Sequence, residues 1–216
     1  MITTTAVQSS GTNTSPHTFT PSATDLINGL LTSAQTGEFQ REGTGGTPVL
    51  TNGAFPSPLT RTSTPTPQPG EIPFQFGAFA TGGNGGGLSL TYTLPASSDI
   101  TGIDIYGGWQ DGGRDEHRYS IFYSTALAPL DFLLLADVSY NPPASGTPRA
   151  TMVSLTDTTG FLATNVAAIR FDFGATENGY SGYAEIDVVP EPGSIGLLGI
   201  AAAGILGRRR RERGAK

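Results

Sequence analysis

The 216-residue chain contains no cysteine, so no disulfide framework supports it and its core must hold without covalent staples. Histidine is nearly absent: His17 and His117 are the two. A nucleophile–base–acid set can be drawn from His117, Asp115 and a serine, yet no Gly-x-Ser-x-Gly turn marks a serine as activated. Charged residues make up only 14% of the chain. Six of the twelve basic and two of the eighteen acidic residues lie from Glu191 onward, which leaves the body six against sixteen, a formal charge of −10. Nucleic-acid binding needs a basic patch, so a nucleic-acid partner is excluded. An acidic body suits solubility and divalent cations. The Gly-rich stretch 37–46 lacks the Gly-Lys-Ser/Thr ending of a P-loop. Asp111 and Asp115 lack the spacing of an EF-hand loop. Outside the last thirty residues no long helical period occurs.

What the chain has is turns and alternation. Glycine (30) and proline (16) exceed a fifth of the residues, which favours short strands over helices. Leu88, Leu90, Tyr92 and Leu94 share one face, against Ser89, Thr91 and Thr93. Ile103 and Ile105 flank Asp104. Tyr119, Ile121 and Tyr123 alternate with Ser120, Phe122 and Ser124. The same period runs through Thr151, Val153 and Leu155, and through Ile169, Phe171 and Phe173. Tyr183, Glu185 and Asp187 interleave with Ala184, Ile186 and Val188. Seven or eight such strands predict an all-β fold, an antiparallel jelly-roll β-sandwich over residues 20–188. Residues 1–19 read as a loose Thr/Ser-rich lead-in, and 56–70 as a Pro-rich surface loop.

The last segment differs in kind. Val188-Val189-Pro190-Glu191-Pro192 leads into an uncharged run from Gly193 to Gly207, then Arg208, Arg209, Arg210, Arg211 and Arg213. The run reads as a C-terminal hydrophobic helix, shorter than the roughly 20 apolar residues that span a bilayer alone. An arginine cluster beside an apolar span stays cytoplasmic, which puts the body outside the inner membrane. A buried core helix and a permanently retained anchor are the two other readings. Val189-Pro190-Glu191-Pro192, the apolar run and the arginines, in that order over 189–213, resemble a PEP-CTERM sorting signal. The resemblance implies recognition by an exosortase, a membrane-embedded transpeptidase-like enzyme, with cleavage near Pro190, Glu191 and Pro192. Removal of the tail would parallel a GPI signal. It implies an exported protein of the envelope, cell surface or extracellular matrix of an exopolysaccharide-making bacterium, anchored transiently in the inner membrane. Met1-Ile2-Thr3-Thr4-Thr5 has neither a basic nor an apolar signal region, so an export signal is expected upstream of this start.

The body carries a second resemblance. Asp99–Ile105, Arg118–Ser124, Val166–Phe173 and Tyr183–Val188 together resemble a galactose-binding-like (discoidin-like) domain, with Tyr119-Ser120-Ile121-Phe122-Tyr123-Ser124 and Ala184-Glu185-Ile186 as its strand patterns. The resemblance implies binding of glycans, other polymers or membranes through loops at one end. It also implies a structural Ca²⁺ held by the Glu185 carboxylate, the Ala184 carbonyl and groups around Asn52 and Gly53, where Asn52 stands in place of the usual Asp. Glu185 reads equally well as a solvent-facing strand residue.

The densest polar stretch runs from Trp109 to Arg118. Trp109 offers a ring to stack on a sugar, and Asp111, Arg114 and His117 offer directional hydrogen bonds. The other reading packs Trp109 in the core and leaves a solvated hairpin loop. The expected function is a non-catalytic adhesion or carbohydrate-binding module, sorted by an exosortase and binding exopolysaccharide or another glycan. The alternatives are a structural surface or biofilm-matrix protein without a discrete ligand, and a glycan-active hydrolase using Asp111, Asp115, His117 and Glu185.

Overall fold

A computed structural model describes residues 1–8, 19–37, 39–41, 47–55, 79–81, 88–109, 115–143, 149–174 and 181–191. The strands are β1 (Ile2–Gln8), β2 (Ala34–Thr36), β3 (Phe39–Arg41), β4 (Phe79–Thr81), β5 (Leu88–Trp109), β6 (His117–Thr125), β7 (Ala128–Tyr140), β8 (Arg149–Asp157), β9 (Ala163–Phe173) and β10 (Gly182–Pro190). A single 3-10 turn, Thr47–Thr51, is the only helical element among the described residues. Every pairing among the described strands is antiparallel.

Strand β5 organises the sandwich. Alternation alone reads as two strands, over Leu88–Leu94 and around Ile103–Ile105; the structure joins them into one of 22 residues. The first part pairs with β2 and β9, and the second with β8 and β10. One layer is therefore β2–β5–β9–β6–β7 and the other β1–β8–β5–β10–β4–β3. The register against β9 shifts between Thr93 and Ser98, where Pro95 has no N–H to offer a ladder. Across that irregularity the buried positions change parity, from Leu90 and Tyr92 to Ile103 and Ile105. The chain can thus cross between layers and still point apolar side chains inward.

The core lies between the layers. Leu90, Tyr92, Ile121, Ile169 and Phe171 face Ile103, Ile105, Val153, Leu155, Ile186 and Val188 in one cluster, all essentially unexposed. Each such side chain contributes about 1.5–3 kcal/mol by leaving water. Ile27 and Leu50 join the cluster from the segments that precede β2 and β4. A second, smaller cluster forms from Phe55, Tyr106, Ala150 and Ala184, with Phe19 and Met152 packed on it. The rings of Phe19, Phe55 and Tyr106 stand 5.7–5.9 Å apart.

Two features differ from the sequence reading. Residues 1–19, expected as a loose lead-in, contain β1, which pairs with β8 from Ile2↔Asp157 to Gln8↔Thr151. Thr3, Thr4, Thr5 and Val7 are β-branched and suit a pleated edge, and an edge strand with Thr4–Val7 exposed needs little apolar sequence. In β10 the register shifts between Tyr183 and Glu185, so Ala184 parts from Ile186 and Val188 and packs in the second cluster. The expected C-terminal hydrophobic helix, the arginine cluster and the Pro-rich loop 56–70 lie outside the described residues. Among the described residues no helix is long and apolar enough to cross a membrane.

Strand directions define two poles. At one, β5 crosses between layers, β6 turns into β7, and β10 ends at Pro190 paired with Ile100. At the other lie Trp109 paired with Arg149, Gly107 paired with Tyr183, and His117 paired with Tyr140.

Candidate cation site and ligand end

Three carboxylates meet where the segment 22–27 runs beside β10. Leu26 N–H donates to the Val188 carbonyl (2.9 Å), and the backbone N–H groups of Val188 and Ile27 donate to Asp25 Oδ1 at 2.7 and 3.1 Å. Glu185 Oε1 accepts from Gly53 N–H at 3.1 Å. Asp187 Oδ2 accepts from Ser22 N–H and from the Tyr106 hydroxyl (3.1 Å). Each of Asp25, Glu185 and Asp187 brings a carboxylate oxygen to within 4.8 Å of the others. Glu185 and Asp187 are wholly buried.

This arrangement leaves strong acceptors unused. Among the described residues, Asp25 Oδ2, Glu185 Oε2, Asp187 Oδ1 and the Tyr92 hydroxyl are buried with no hydrogen-bond partner. Burial raises the Asp25 carboxyl to about 7, against the pull of its two backbone N–H groups and with a further push from Asp187. Burial likewise raises Glu185 to about 8, with Asp187 and Asp25 adding to it. Asp187 rises to about 6 through burial, with Asp104 adding. Burial, then the charges of Glu185 and Asp25, raise the Tyr92 hydroxyl. Unsatisfied buried anions of one sign are costly unless protonated or matched by a cation. An all-oxygen set of this kind fits a hard divalent cation, Ca²⁺ above all. A cation there would tie residues 22–27 to β10 across more than 150 residues of chain.

The cluster only partly follows the sequence expectation. Glu185 belongs to it. Asn52 and Gly53 meet Glu185 through backbone N–H groups, and the Asn52 side-chain oxygen accepts from Ala54 N–H at 2.9 Å. Gly53 takes φ +71°, a conformation glycine adopts without strain. Ala184 is buried among Phe55, Tyr106 and Ala150. Asp25 and Asp187 were not singled out by sequence. Asp187 carried one signal, since a residue two beyond Glu185 in a strand shares its face.

At the other pole the expected ligand loop separates into parts. Trp109 ends β5; Asp111 and Arg114 lie outside the described residues. His117 does not serve as a surface donor. It is wholly buried, its Nε2 lies 2.7 Å from the Thr151 hydroxyl and its Nδ1 3.3 Å from the Tyr119 hydroxyl. The rings of Tyr119, Tyr140 and Tyr183 surround it at 5.6–6.2 Å. Desolvation lowers its pKa to about 3, so the imidazole is neutral and structural. A histidine flanked by polar residues in sequence looks exposed; only the return of β6 onto Gly107 reveals otherwise. Beside this pole a groove of about 340 Å³ is lined by Arg118, Ser120, Asp137, Ser139, Asp172 and Gly174, among others. Ser120 donates to Asp137 there. Of the sorting motif, Pro190 is the buried end of β10, Glu191 follows it, and Pro192 lies outside the described residues.

Comparison with known proteins adds two findings. A family described as the PEP-CTERM protein-sorting motif matches residues 188–211, so the chain carries that motif at its C-terminus. No curated protein matches the chain. Similar solved structures include CpGH89CBM32-5 from Clostridium perfringens in complex with GalNAc-β-1,3-galactose, at 15% identity and TM-score 0.46, covering 72% of this chain and 92% of that one. The lectin domain of lectinolysin complexed with Lewis B antigen aligns at 10% identity and TM-score 0.48, covering 78% and 98%. The family 32 CBM from C. perfringens NanJ in complex with galactose aligns at 10% identity and TM-score 0.42, covering 87% and 92%.

Proposed function

We propose that this is an exported, non-catalytic carbohydrate-binding or adhesion module, delivered to the cell envelope or extracellular matrix by an exosortase-type system. The sorting motif at 188–211 is the observation that carries the reading. The tail holds the protein in the inner membrane until processing near Pro190, Glu191 and Pro192, with Arg208, Arg209, Arg210, Arg211 and Arg213 on the cytoplasmic side. The polarity of the sandwich supports a ligand role for the opposite pole. Trp109 ends β5 at that pole, away from the membrane-proximal end, and Asp111 and Arg114 follow it in the sequence. Trp109 stacks on a sugar ring, Asp111 and Arg114 hydrogen-bond its hydroxyls, and the polar groove lined by Arg118, Ser120, Asp137 and Ser139 extends the surface. The neighbours named above are complexes with galactose-containing or Lewis-type glycans, and galactose-type sugars are the class to test first. Asp25, Glu185 and Asp187 hold a Ca²⁺ that fixes the N-terminal segment.

Titration of the purified body against a panel of galactosides and exopolysaccharides, with and without Ca²⁺, tests the reading. Binding that Trp109→Ala abolishes in a folded protein is the expected result. A folded body that binds no glycan would favour a structural matrix protein instead.

A further inference from the structure

The two most exposed large apolar side chains of the described residues are Leu127 (91%) and Leu130 (87%). Both belong to the β6–β7 hairpin, Leu127 in its turn and Leu130 about 7 Å along β7 at ordinary strand rise. They sit at the pole from which the C-terminal segment departs, and a chain of hydrogen bonds ties the two together. Glu191 N–H donates to the Asp99 carbonyl (3.1 Å). The Asp99 carboxylate accepts from Asn165 N–H (2.7 Å), and the Asn165 carbonyl from Ala126 N–H (3.1 Å). Phe161, 37% exposed, belongs to the same pole, where the next residue, Leu162, donates its N–H to the Ile100 carbonyl (2.8 Å). Between Glu191 and Ser194 stand only Pro192 and Gly193, a reach of about 10 Å fully extended.

We propose that this pole is a lipid-facing surface, with Leu127, Leu130 and Phe161 dipping into the membrane interface while the tail is anchored. The inference rests on the reading of the tail as a membrane segment. A tether this short cannot hold the body clear of the bilayer, so whatever the pole exposes meets headgroups. Exposed leucines on a hairpin turn are a liability in water and an anchor at an interface. Asp99, Asp131, Asp157 and Glu191 lie at the same end, and the body is acidic overall, so the favoured surface is zwitterionic and not anionic.

The absence of cysteine makes the test direct. Full-length protein carrying one of Leu127→Cys, Phe161→Cys, Ser139→Cys or Ala202→Cys is labelled with an environment-sensitive fluorophore and reconstituted into phosphatidylcholine vesicles containing nitroxide lipids. Positions 127 and 161 are expected to lose fluorescence to shallow nitroxides, position 202 to deep ones, and position 139, at the opposite pole, to neither. Quenching at 202 without quenching at 127 and 161 would overturn the lipid-facing pole alone and leave that rim to a protein partner. Absence of quenching at 202 as well would overturn the anchor reading and this inference with it.

Discussion

Calcium is expected to raise the thermal stability of the body at pH 8 and to lose that effect at pH 5. Without a cation, Asp25, Glu185 and Asp187 have folded-state pKa values of about 7, 8 and 6, above their unfolded values near 4. The native state therefore binds more protons than the unfolded state between about pH 4 and 8. The stabilisation they contribute is complete below about 4 and is lost progressively as pH rises from about 4 through the folded values of about 6 to 8. A cation replaces those protons. At pH 5 it must displace protons from all three carboxylates, whose folded-state values lie above that pH, so its apparent affinity falls steeply. At pH 8 almost none of that competition remains.

With Ca²⁺ at 100 times its dissociation constant, binding stabilises by about 2.7 kcal/mol. For a domain of this size that is a rise in Tm of roughly 5–10 °C. Differential scanning calorimetry with EDTA, Ca²⁺ and Mg²⁺ at pH 8 and pH 5 reads the effect; Mg²⁺ should do less, because it demands a tighter octahedral site. His117, held neutral with a pKa of about 3, contributes an opposite slope between about 3 and 6.5, which the comparison with and without cation at each pH cancels. Glu185→Gln should abolish the calcium shift while leaving a folded protein, since it removes a buried charge. A calcium shift that is absent at pH 8, equal at both pH values, or unchanged in Glu185→Gln would refute the assignment.

Substitutions at three further positions test the packing that positions the two poles. Gly107→Ala should lower the urea midpoint by an amount equivalent to about 1–3 kcal/mol, because its Cβ would stand 2.8 Å from the Gly182 carbonyl and 2.9 Å from His117 Nε2. Thr151→Val removes the hydroxyl 2.7 Å from that same buried nitrogen and should cost about 1–3 kcal/mol by the same assay. Asn165 is the one non-glycine residue described with positive φ, at 55°; Asn165→Val should destabilise by about 1–3 kcal/mol in thermal melts, and Asn165→Gly should be close to neutral.

Much of the fold was legible because buried strands announce themselves by period two. Leu88–Leu94, Tyr119–Ser124 and Ile169–Phe173 alternate cleanly, and all lie in strands that bury one face. What escaped has physical reasons. β1 is an exposed edge whose threonines carry no alternation of hydrophobicity. The continuity of β5 is hidden by Pro95 and by the parity change that follows it. The bulge after Tyr183 reverses the facing of Ala184, which no local pattern reveals. The carboxylate cluster joins Asp25 to residues 160 positions away, so only the fold could assemble it. His117 failed for the opposite reason: its sequence neighbours are polar, but its spatial neighbours are Tyr119, Tyr140 and Tyr183.

The sorting motif does not begin where the fold ends. Pro190 is buried and pairs with Ile100, and the Thr101 hydroxyl donates to the carbonyls of Val189 (3.3 Å) and Pro190 (3.1 Å). Glu191 then fixes the pole by donating to Asp99. Cleavage before Pro190 would take a paired residue out of β10 and unseat Thr101. Cleavage beyond Glu191 leaves every described contact of the strand in place. On the proposed reading, a folded substrate keeps Pro190 inside the sheet, and a processing enzyme would act from Glu191 outward. The last strand and the sorting motif thus share Val188, Val189 and Pro190, so the same residues serve the sheet and the signal.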